Sequence, residues 1–168
     1  MTYVVCAAFD PDLDARVLAL QQALRDAGVH VAPPRHRPHL TLAGSARPLD
    51  ELLDAVRQTP VAAQGVHLDE AGEFRRGAVL WAGTDDAALS DWHRNVLQDV
   101  PNEFPNAGPG QWRAHCTLAR RVPQQLRTTA LDVVRAALPL TGRIEALAVV
   151  QVGGSGDLAL HRLPSPHR

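Results

Sequence analysis

Two segments of the sequence carry the same chemically active side chains in the same order. Residues 37–43 read Arg-Pro-His-Leu-Thr-Leu-Ala, and residues 113–119 read Arg-Ala-His-Cys-Thr-Leu-Ala. Chance would supply only about 0.4 copies of an isolated His-x-Thr in a chain of this composition. The shared Arg, Leu and Ala make coincidence a poor explanation. Paired imidazoles and hydroxyls can move protons and hold the oxygens of a phosphodiester without a metal ion.

Each copy has the alternation of apolar and polar residues that is typical of a β-strand. In the first copy His39, Thr41 and Ala43 fall on one face, while Leu40 and Leu42 fall on the other. The second copy repeats this pattern, so two such strands lying side by side would form the floor of a pocket. The predicted face of the site consists of His39, Thr41, Ala43, His115, Thr117 and Ala119. Its histidines and threonines are the candidate catalytic residues.

Length and composition are those of one small globular domain. The chain has 168 residues, of which 45% are hydrophobic and 21% charged, enough to bury one core shared by two lobes. Its formal net charge of -1 argues against a broad basic surface that grips long nucleic acid, but it allows a short or terminal nucleotide substrate. All 17 basic residues are arginine, a bias that GC-rich coding DNA explains.

The sequence contains no recognisable targeting or membrane-spanning signal. Residues 1–10 lack the basic start of a signal peptide, and no apolar stretch approaches the roughly 20 residues that a bilayer requires. Cys6 and Cys116 lie far apart in predicted strands, which favours buried free thiols over a disulfide. We therefore expect a cytoplasmic monomer with no membrane partner.

The order of predicted elements repeats along the chain, as strand, helix, motif strand, helix, strand in each half. Outside the motifs, strands are predicted over 3–9, 61–74 with a turn near Gly72, 78–82, 144–152 and 158–163. Helices are predicted to begin at Asp10, Leu49, the capping segment Thr84-Asp85-Asp86 and Pro123. Internal duplication with halves 1–77 and 78–168 explains this order. It predicts a single α+β domain over residues 1–168, with two pseudo-twofold lobes, each an antiparallel sheet with flanking helices, and the active site in the cleft between them. The alternative is a plain α/β sandwich with unrelated halves.

The paired motifs resemble those of the two-histidine phosphoesterases. Pro-His-Leu-Thr-Leu at 38–42 and His-Cys-Thr-Leu-Ala-Arg at 115–120 carry the resemblance, which covers nearly the whole chain. Within this superfamily the sequence is most similar to the branch of 2′-5′ RNA ligases and RNA 2′,3′-cyclic phosphodiesterases. The resemblance implies a metal-independent, cofactor-free enzyme that opens 2′,3′-cyclic phosphates of RNA ends or nucleotides, with 2′-5′ ligation as the reverse reaction.

The resemblance also implies roles for individual residues. The catalytic residues would be His39, Thr41, His115 and Thr117, with His115 as the base and His39 as the acid. The sequence itself does not break the symmetry of the pair. A residue that contacts phosphate or base often follows the second motif in this family, and here that position is Arg120.

Four arginines around the motifs are candidate substrate-binding residues. Arg37 and Arg113 each stand two residues before a motif histidine, where a solvated strand end is an equally good interpretation. Simple strand alternation places Arg121, rather than the Arg120 of the resemblance, on the catalytic face, so both remain candidates. Where the family commonly has an aromatic residue before the first motif, this chain has Val31-Ala-Pro-Pro, and aromatic residues make up only 4% of it. Few platforms are therefore available for stacking a base.

Simpler interpretations of the same residues exist. A single strand histidine is usually structural and a strand threonine is an ordinary β-former, which is why the duplication matters. His36 beside His39 could suggest a metal pair, but no carboxylate or cysteine cluster accompanies them, so we expect no metal site. Trp81, Trp92 and Trp112 are better explained as packing residues. The alternative function is a nucleotide- or RNA-end-binding module that keeps the pocket without turnover, although such a module could have lost either histidine.

Overall fold

The protein has an α+β fold in which one curled antiparallel sheet carries four helices. The structure, a computed structural model, describes residues 1–166, so the last two residues of the predicted second half lie outside it. The strands are β1 (Tyr3–Phe9), β2 (His39–Ser45), β3 (Gln64–Leu68), β4 (Glu70–Phe74), β5 (Val79–Thr84), β6 (Ala114–Arg120), β7 (Leu140–Gln151) and β8 (Ala159–Arg162). The helices are α1 (Pro11–Asp26), α2 (Leu49–Gln58), α3 (Ala87–Asp99) and α4 (Arg127–Ala137). The order in the sheet is β3-β7-β1-β2-β6-β5-β4, with β8 on β7.

The helices that follow β1 and β5 start at the residues that the sequence indicates. The Asp10 side chain accepts a hydrogen bond from the amide of Leu13 at 2.9 Å, and Pro11 stands in the first turn of α1. Asp86 caps α3 in the same way, accepting from the amide of Ala88 at 2.8 Å. These capped starts fix where each helix leaves the sheet, and hence which of its faces is buried.

The sheet curls because one chain segment supplies strands to both of its ends. Strand β3 pairs with β7 as far as Leu68, and β4 pairs with β5 from Glu70 onward. The change of partner takes a single residue, Asp69, whose amide donates to the carbonyl of Gly83 in β5 at 3.0 Å. The two ends of the sheet are therefore joined by continuous chain.

Two predicted strand boundaries were wrong. The segment 61–74 breaks at Asp69 and not near Gly72, which lies inside β4 against Trp81; a Cβ at position 72 would fall 2.2 Å from the indole. The strand expected to begin at residue 144 begins at Leu140. The first residues of β7 pair with β3, and pairing with β1 starts only at Ile144. The hydrophobic periodicity of β7 alone does not reveal the pairing with β3.

The sheet divides into two lobes that meet where β2 lies beside β6. Lobe 1 contains β3, β7, β1, β2 and β8, and lobe 2 contains β6, β5 and β4. Helix α1 follows β1 of lobe 1, and α3 follows β5 of lobe 2. Buried side chains of both lobes belong to one contiguous apolar cluster. The predicted two-lobed α+β fold is confirmed, whereas a single domain with duplicated halves at 1–77 and 78–168 stays a prediction.

The two cysteines are buried free thiols, as predicted. Burial raises the pKa of Cys6 and of Cys116 to about 12, so neither is a thiolate near neutral pH. Within residues 1–166, no helix has the length and apolar character that crossing a membrane requires.

Candidate active site

The two motif strands are neighbours at the centre of the sheet. Strands β2 and β6 run antiparallel, and Leu40 lies directly opposite Cys116. This register sets His39 across from Thr117 and Thr41 across from His115. Diagonal neighbours in an antiparallel pair lie about 7–8 Å apart, a separation that suits two imidazoles on either side of one phosphate.

Each motif strand contains a β-bulge at the same position. In the first copy Thr41 and Ala43 pair with consecutive residues of β1, which leaves Leu42 as the extra residue. In the second copy Thr117 and Ala119 pair with consecutive residues of β5, so Leu118 is extra. The same irregularity in strand register thus occurs in both lobes, at the residue that follows the motif threonine.

The bulges correct the predicted alternation. Ala43 and Ala119 were expected on the face of the site, but both belong to the buried core, as do the bulged leucines before them. After each bulge, the position that faces the site is therefore the third residue after the motif threonine (position 44 or 120), and not the fourth (position 45 or 121). In the second copy that residue is Arg120, which lines a cleft of about 280 Å³ together with Thr41, His115 and Thr117. Arg121, which simple alternation favoured, lines a neighbouring cleft with His115.

Both motif histidines are oriented by the same backbone contact. The Nδ1 atom of His39 lies 2.7 Å from the carbonyl oxygen of Arg37, and the Nδ1 atom of His115 lies 2.8 Å from that of Arg113. A carbonyl oxygen only accepts, so Nδ1 must carry a proton in each ring. The Nε2 atom is left in both to take up or release the proton of a reaction.

The electrostatic surroundings of the two imidazoles differ. Burial has the largest effect on His39 and lowers its pKa, while the bond to the Arg37 carbonyl and the charge of Asp157 oppose this. The charges of His36 and Arg120 lower the pKa further. Burial also lowers the pKa of His115, the bond to the Arg113 carbonyl opposes this, and the charges of Arg120 and Arg113 lower the pKa further. Since Arg120 acts on both imidazoles, both lie within reach of one guanidinium. The pKa is lowered in both rings; the charges that differ are Arg113, which lowers the pKa of His115, and Asp157, which raises that of His39.

The arginines that precede the motif histidines are both held by carboxylates of their own lobe. The Nε atom of Arg37 donates to Asp157, in the loop between β7 and β8, at 3.0 Å. Arg113 forms an ion pair with Glu70 of β4. Because these are the arginines whose carbonyls orient the imidazoles, each ion pair also steadies a histidine. Their predicted contact with substrate stays a prediction.

Side chains from two helices bind the carbonyls of the bulges. His93 of α3, which is 1% exposed, lies with Nε2 at 2.9 Å from the carbonyl oxygen of Leu42. Gln21 of α1 donates to the carbonyl of Leu118 at 3.2 Å. Each helix reaches across to the motif strand of the other lobe. Trp112 completes the first bulge: its ring stacks on His93 at 4.0 Å between centroids, and its Nε1 donates to the carbonyl of Thr41 at 2.8 Å.

Lobe 2 surrounds His115 with aromatic and cationic groups. The Phe74 ring meets the imidazole of His115 edge to face at 4.9 Å between centroids, and Trp81 packs on Phe74 at 5.3 Å. The guanidinium of Arg113 lies over the Trp81 ring, 4.9 Å from its centroid. Trp81 was predicted to be a packing residue; it is buried as expected, but it also supports the site.

Lobe 1 has a different surface on the corresponding face. Beside the first motif, on strands β1 and β7, lies a small buried cluster of alanines, a valine and a cysteine: Cys6, Ala8, Ala146, Ala148 and Val150. The position that corresponds to Arg120 is Gly44, where a Cβ would fall 2.3 Å from the Phe104 ring. Asn102 ties this loop to β2, since its Oδ1 accepts from the amide of Gly44 at 3.1 Å and from that of Phe104 at 3.0 Å.

The structure brings the four predicted catalytic residues together and adds residues that the sequence did not single out. The most important are Phe74, His93, Phe104 and Asp157. A sequence signal existed for His93 alone, because a histidine inside the apolar stripe of a helix must find a buried hydrogen-bond partner. Within residues 1–166, no three His, Cys, Asp or Glu side chains converge as a metal site would need.

Several solved structures share this fold. The Thermus thermophilus protein TT0787 is 19% identical, with a TM-score of 0.63 over 99% of this chain and all of that one. Escherichia coli LigT complexed with 3′-AMP is 15% identical, with a TM-score of 0.64 over 96% of each chain. A conserved Agrobacterium tumefaciens protein of unknown function, ATU0111, is 16% identical over 98% of this chain and 84% of its own, with a TM-score of 0.55.

The sequence comparison defines the family. No protein with a curated description matches the chain significantly. The sequence profile of the 2′-5′ RNA ligase superfamily, however, matches residues 9–156, which include both motifs and the four helices and leave out most of β1 and all of β8. By this match over most of its length, the chain belongs to the 2′-5′ RNA ligase superfamily, as the paired His-x-Thr motifs indicated.

Proposed function

We propose that the protein is a metal-independent phosphodiesterase that hydrolyses 2′,3′-cyclic phosphates of RNA 3′ ends or of nucleotides, in the cytoplasm and as a monomer. Membership of the 2′-5′ RNA ligase superfamily supports an enzyme of the two-histidine type. The observation that carries the proposal is the matched pair of imidazoles, each with Nδ1 bound to a carbonyl and Nε2 available. The E. coli LigT structures with 3′-AMP, ATP and NADP+ support a nucleotide substrate.

The reaction divides the proton transfers between the two histidines. Neutral His115 takes a proton from water through Nε2 as the water oxygen forms a bond to phosphorus. The bond from phosphorus to one ribose oxygen breaks, and that oxygen takes a proton from Nε2 of protonated His39. Arg120 and the hydroxyls of Thr41 and Thr117 hold the non-bridging oxygens while charge builds on them. In 2′-5′ ligation the 5′-hydroxyl of a second RNA end takes the place of water: His115 accepts its proton as its oxygen bonds to phosphorus, and His39 protonates the ribose 3′ oxygen that leaves.

The charges around the histidines support this assignment of acid and base. A base works when it starts neutral, and two arginines lower the pKa of His115 in addition to burial. An acid works when it starts protonated, and Asp157 counteracts part of the effect of burial on the pKa of His39. The sequence alone left the two roles interchangeable.

A direct assay tests the proposal. The purified protein is incubated with the four nucleoside 2′,3′-cyclic monophosphates, with and without EDTA, and the nucleoside monophosphate products are separated by chromatography. We expect turnover that survives chelation. Loss of activity in EDTA that added divalent ions restore would contradict the acid–base mechanism. Binding of nucleotides without any turnover would instead favour the binding-module alternative.

A further inference from the structure

A basic cleft extends from His115 along lobe 2, beyond the catalytic residues. Its volume is about 750 Å³, and four of the ten residues that line it are arginines: Arg75, Arg113, Arg120 and Arg121. None of these ten residues is acidic, although the chain as a whole carries a net charge of -1. Positive charge is therefore concentrated where a substrate would extend past the reacting phosphate.

Three of these four arginines have no acidic partner among residues 1–166. Arg113 is paired with Glu70, but no carboxylate in that part of the chain forms an ion pair with Arg75, Arg120 or Arg121. Arg120 lines one cleft with Thr41, His115 and Thr117, where the reacting phosphate of the proposed reaction would bind. Arg75 and Arg121 then remain as two cations that the proposed reaction does not use.

The backbone holds Arg75 and Arg121 in an unfavourable conformation. Their φ angles are 48° and 55°, in the left-handed region that costs a residue with a Cβ about 1 kcal/mol or more. Two backbone hydrogen bonds join their segments: the amide of Arg121 donates to Ala78 at 3.1 Å, and that of Val122 donates to Gly77 at 3.0 Å. The turn between β4 and β5 is thus fastened beside the end of β6, with an arginine from each on the cleft.

The corresponding positions of lobe 1 carry no such charges. Gly44 and Ser45 follow the first bulge where Arg120 and Arg121 follow the second, and Phe104 covers Gly44. A single phosphate between two symmetric motifs would need no such difference between the lobes. An asymmetric substrate with a second anionic group on the side of lobe 2 would account for it.

We propose that Arg75 and Arg121 form a subsite for a second phosphate of the substrate, on the 5′ side of the nucleotide whose cyclic phosphate reacts. Every internal nucleotide linkage of an RNA 3′ end supplies such a group, whereas a nucleoside 2′,3′-cyclic monophosphate does not. The preferred substrate class is therefore an oligonucleotide end or a 5′-phosphorylated nucleotide. This inference rests on the proposed function.

Two substrates that differ in one group test the subsite. They are a nucleoside 2′,3′-cyclic phosphate with a free 5′-hydroxyl and the same compound with a 5′-phosphate, each assayed for kcat/KM at low ionic strength. We expect the wild-type protein to prefer the 5′-phosphorylated compound. Arg75→Ala and Arg121→Ala should each reduce the ratio of the two kcat/KM values by about 10-fold, the loss of one charge-assisted hydrogen bond.

The chain offers a matched control in Arg76. It lies in the same turn with a φ angle of 52°, but it does not line the cleft. Arg76→Ala should leave the ratio unchanged. Arg75→Gly and Arg121→Gly, which relieve the left-handed backbone, reproduce the loss of charge if an alanine variant fails to fold.

The outcomes separate the subsite from the proposed function. Equal kcat/KM for both compounds in the wild-type protein overturns the subsite and leaves the phosphodiesterase intact. An equal fall of the ratio in Arg76→Ala also overturns it, because the effect would then come from overall charge. Absence of turnover with either compound refutes the proposed function itself.

Discussion

The two motif copies share how each histidine is held and differ in what surrounds it. In both, the imidazole donates from Nδ1 to the carbonyl of the arginine two residues earlier, and that arginine is paired with a carboxylate. Both strands bulge after the motif threonine, and a helix side chain binds each bulged carbonyl. The similarity thus extends from the reacting ring to the contacts that support it.

The surfaces beside the two motifs differ between the lobes. In lobe 1, small side chains lie beside His39 and the Phe104 ring covers Gly44. In lobe 2, aromatic rings flank His115, and Arg120 occupies the position of Gly44. The supports that orient an acid–base pair are common to both copies, whereas the residues that would choose a substrate occur on one side. For this reason we propose that lobe 2 selects the substrate.

The largest expected effect comes from removing either histidine. His39→Ala and His115→Ala should each reduce hydrolysis of a 2′,3′-cyclic phosphate by at least ~100-fold, the range for a positioned acid or base. The double variant should lose little more, because supplying one proton without removing the other gains little. Initial rates for all three proteins, with folding checked by circular dichroism, measure this.

Thr41→Ala and Thr117→Ala provide the comparison within the same strands. They should lose less activity than the histidine variants, since Arg120 and backbone amides still hold the phosphate oxygens. Near-wild-type rates in folded histidine variants would exclude both strands from the chemistry and leave the cleft as a binding site.

The second expected effect separates the two bulge contacts. His93→Ala removes a buried ring, its stacking on Trp112 and the partner of the Leu42 carbonyl, so it should cost about 2–4 kcal/mol of unfolding free energy. Gln21→Ala should cost only about 1 kcal/mol, because Gln21 is partly exposed and its buried Oε1 has no partner within residues 1–166. Urea denaturation at pH 7.5 measures both.

The pH dependence of stability gives a further check on His93. Burial lowers its pKa below the ordinary 6.5, so the unfolded chain binds more protons between the two values. The contribution of His93 to the free energy of unfolding is therefore fully present above pH 6.5 and falls as the pH drops through that window. This part of the loss should be smaller in His93→Ala. If His93→Ala and Gln21→Ala lowered the free energy of unfolding equally at pH 7.5, the two bulge contacts would contribute equally to stability.

The sequence was sufficient for the two-lobed α+β fold and for the strand faces of the candidate catalytic residues, because both depend on periodicity and on local motifs. The helix starts at Asp10 and Asp86 follow from capping side chains, and the strand faces of His39 and His115 follow from alternation. The sequence was insufficient for features that depend on contacts between distant parts of the chain. The bulge that turns Arg120 to the site depends on pairing with β5, and Asp157 is 120 residues from Arg37 in the chain. Neither relation leaves a pattern within one segment.

The smallest expected effect decides which histidine is the acid. Burial lowers the pKa of both imidazoles, so both limbs of the kcat/KM profile should lie below pH 6.5 and the optimum should be acidic. Asp157→Asn removes a charge that raises the pKa of His39, so that pKa should fall further. If His39 is the acid, activity needs its proton, and the alkaline limb moves to lower pH. If His39 is the base, the acidic limb moves instead. Glu70→Gln, the matched change beside His115, should leave the His39 limb in place, and a shift of that limb in both variants would assign the effect to general charge and not to Asp157.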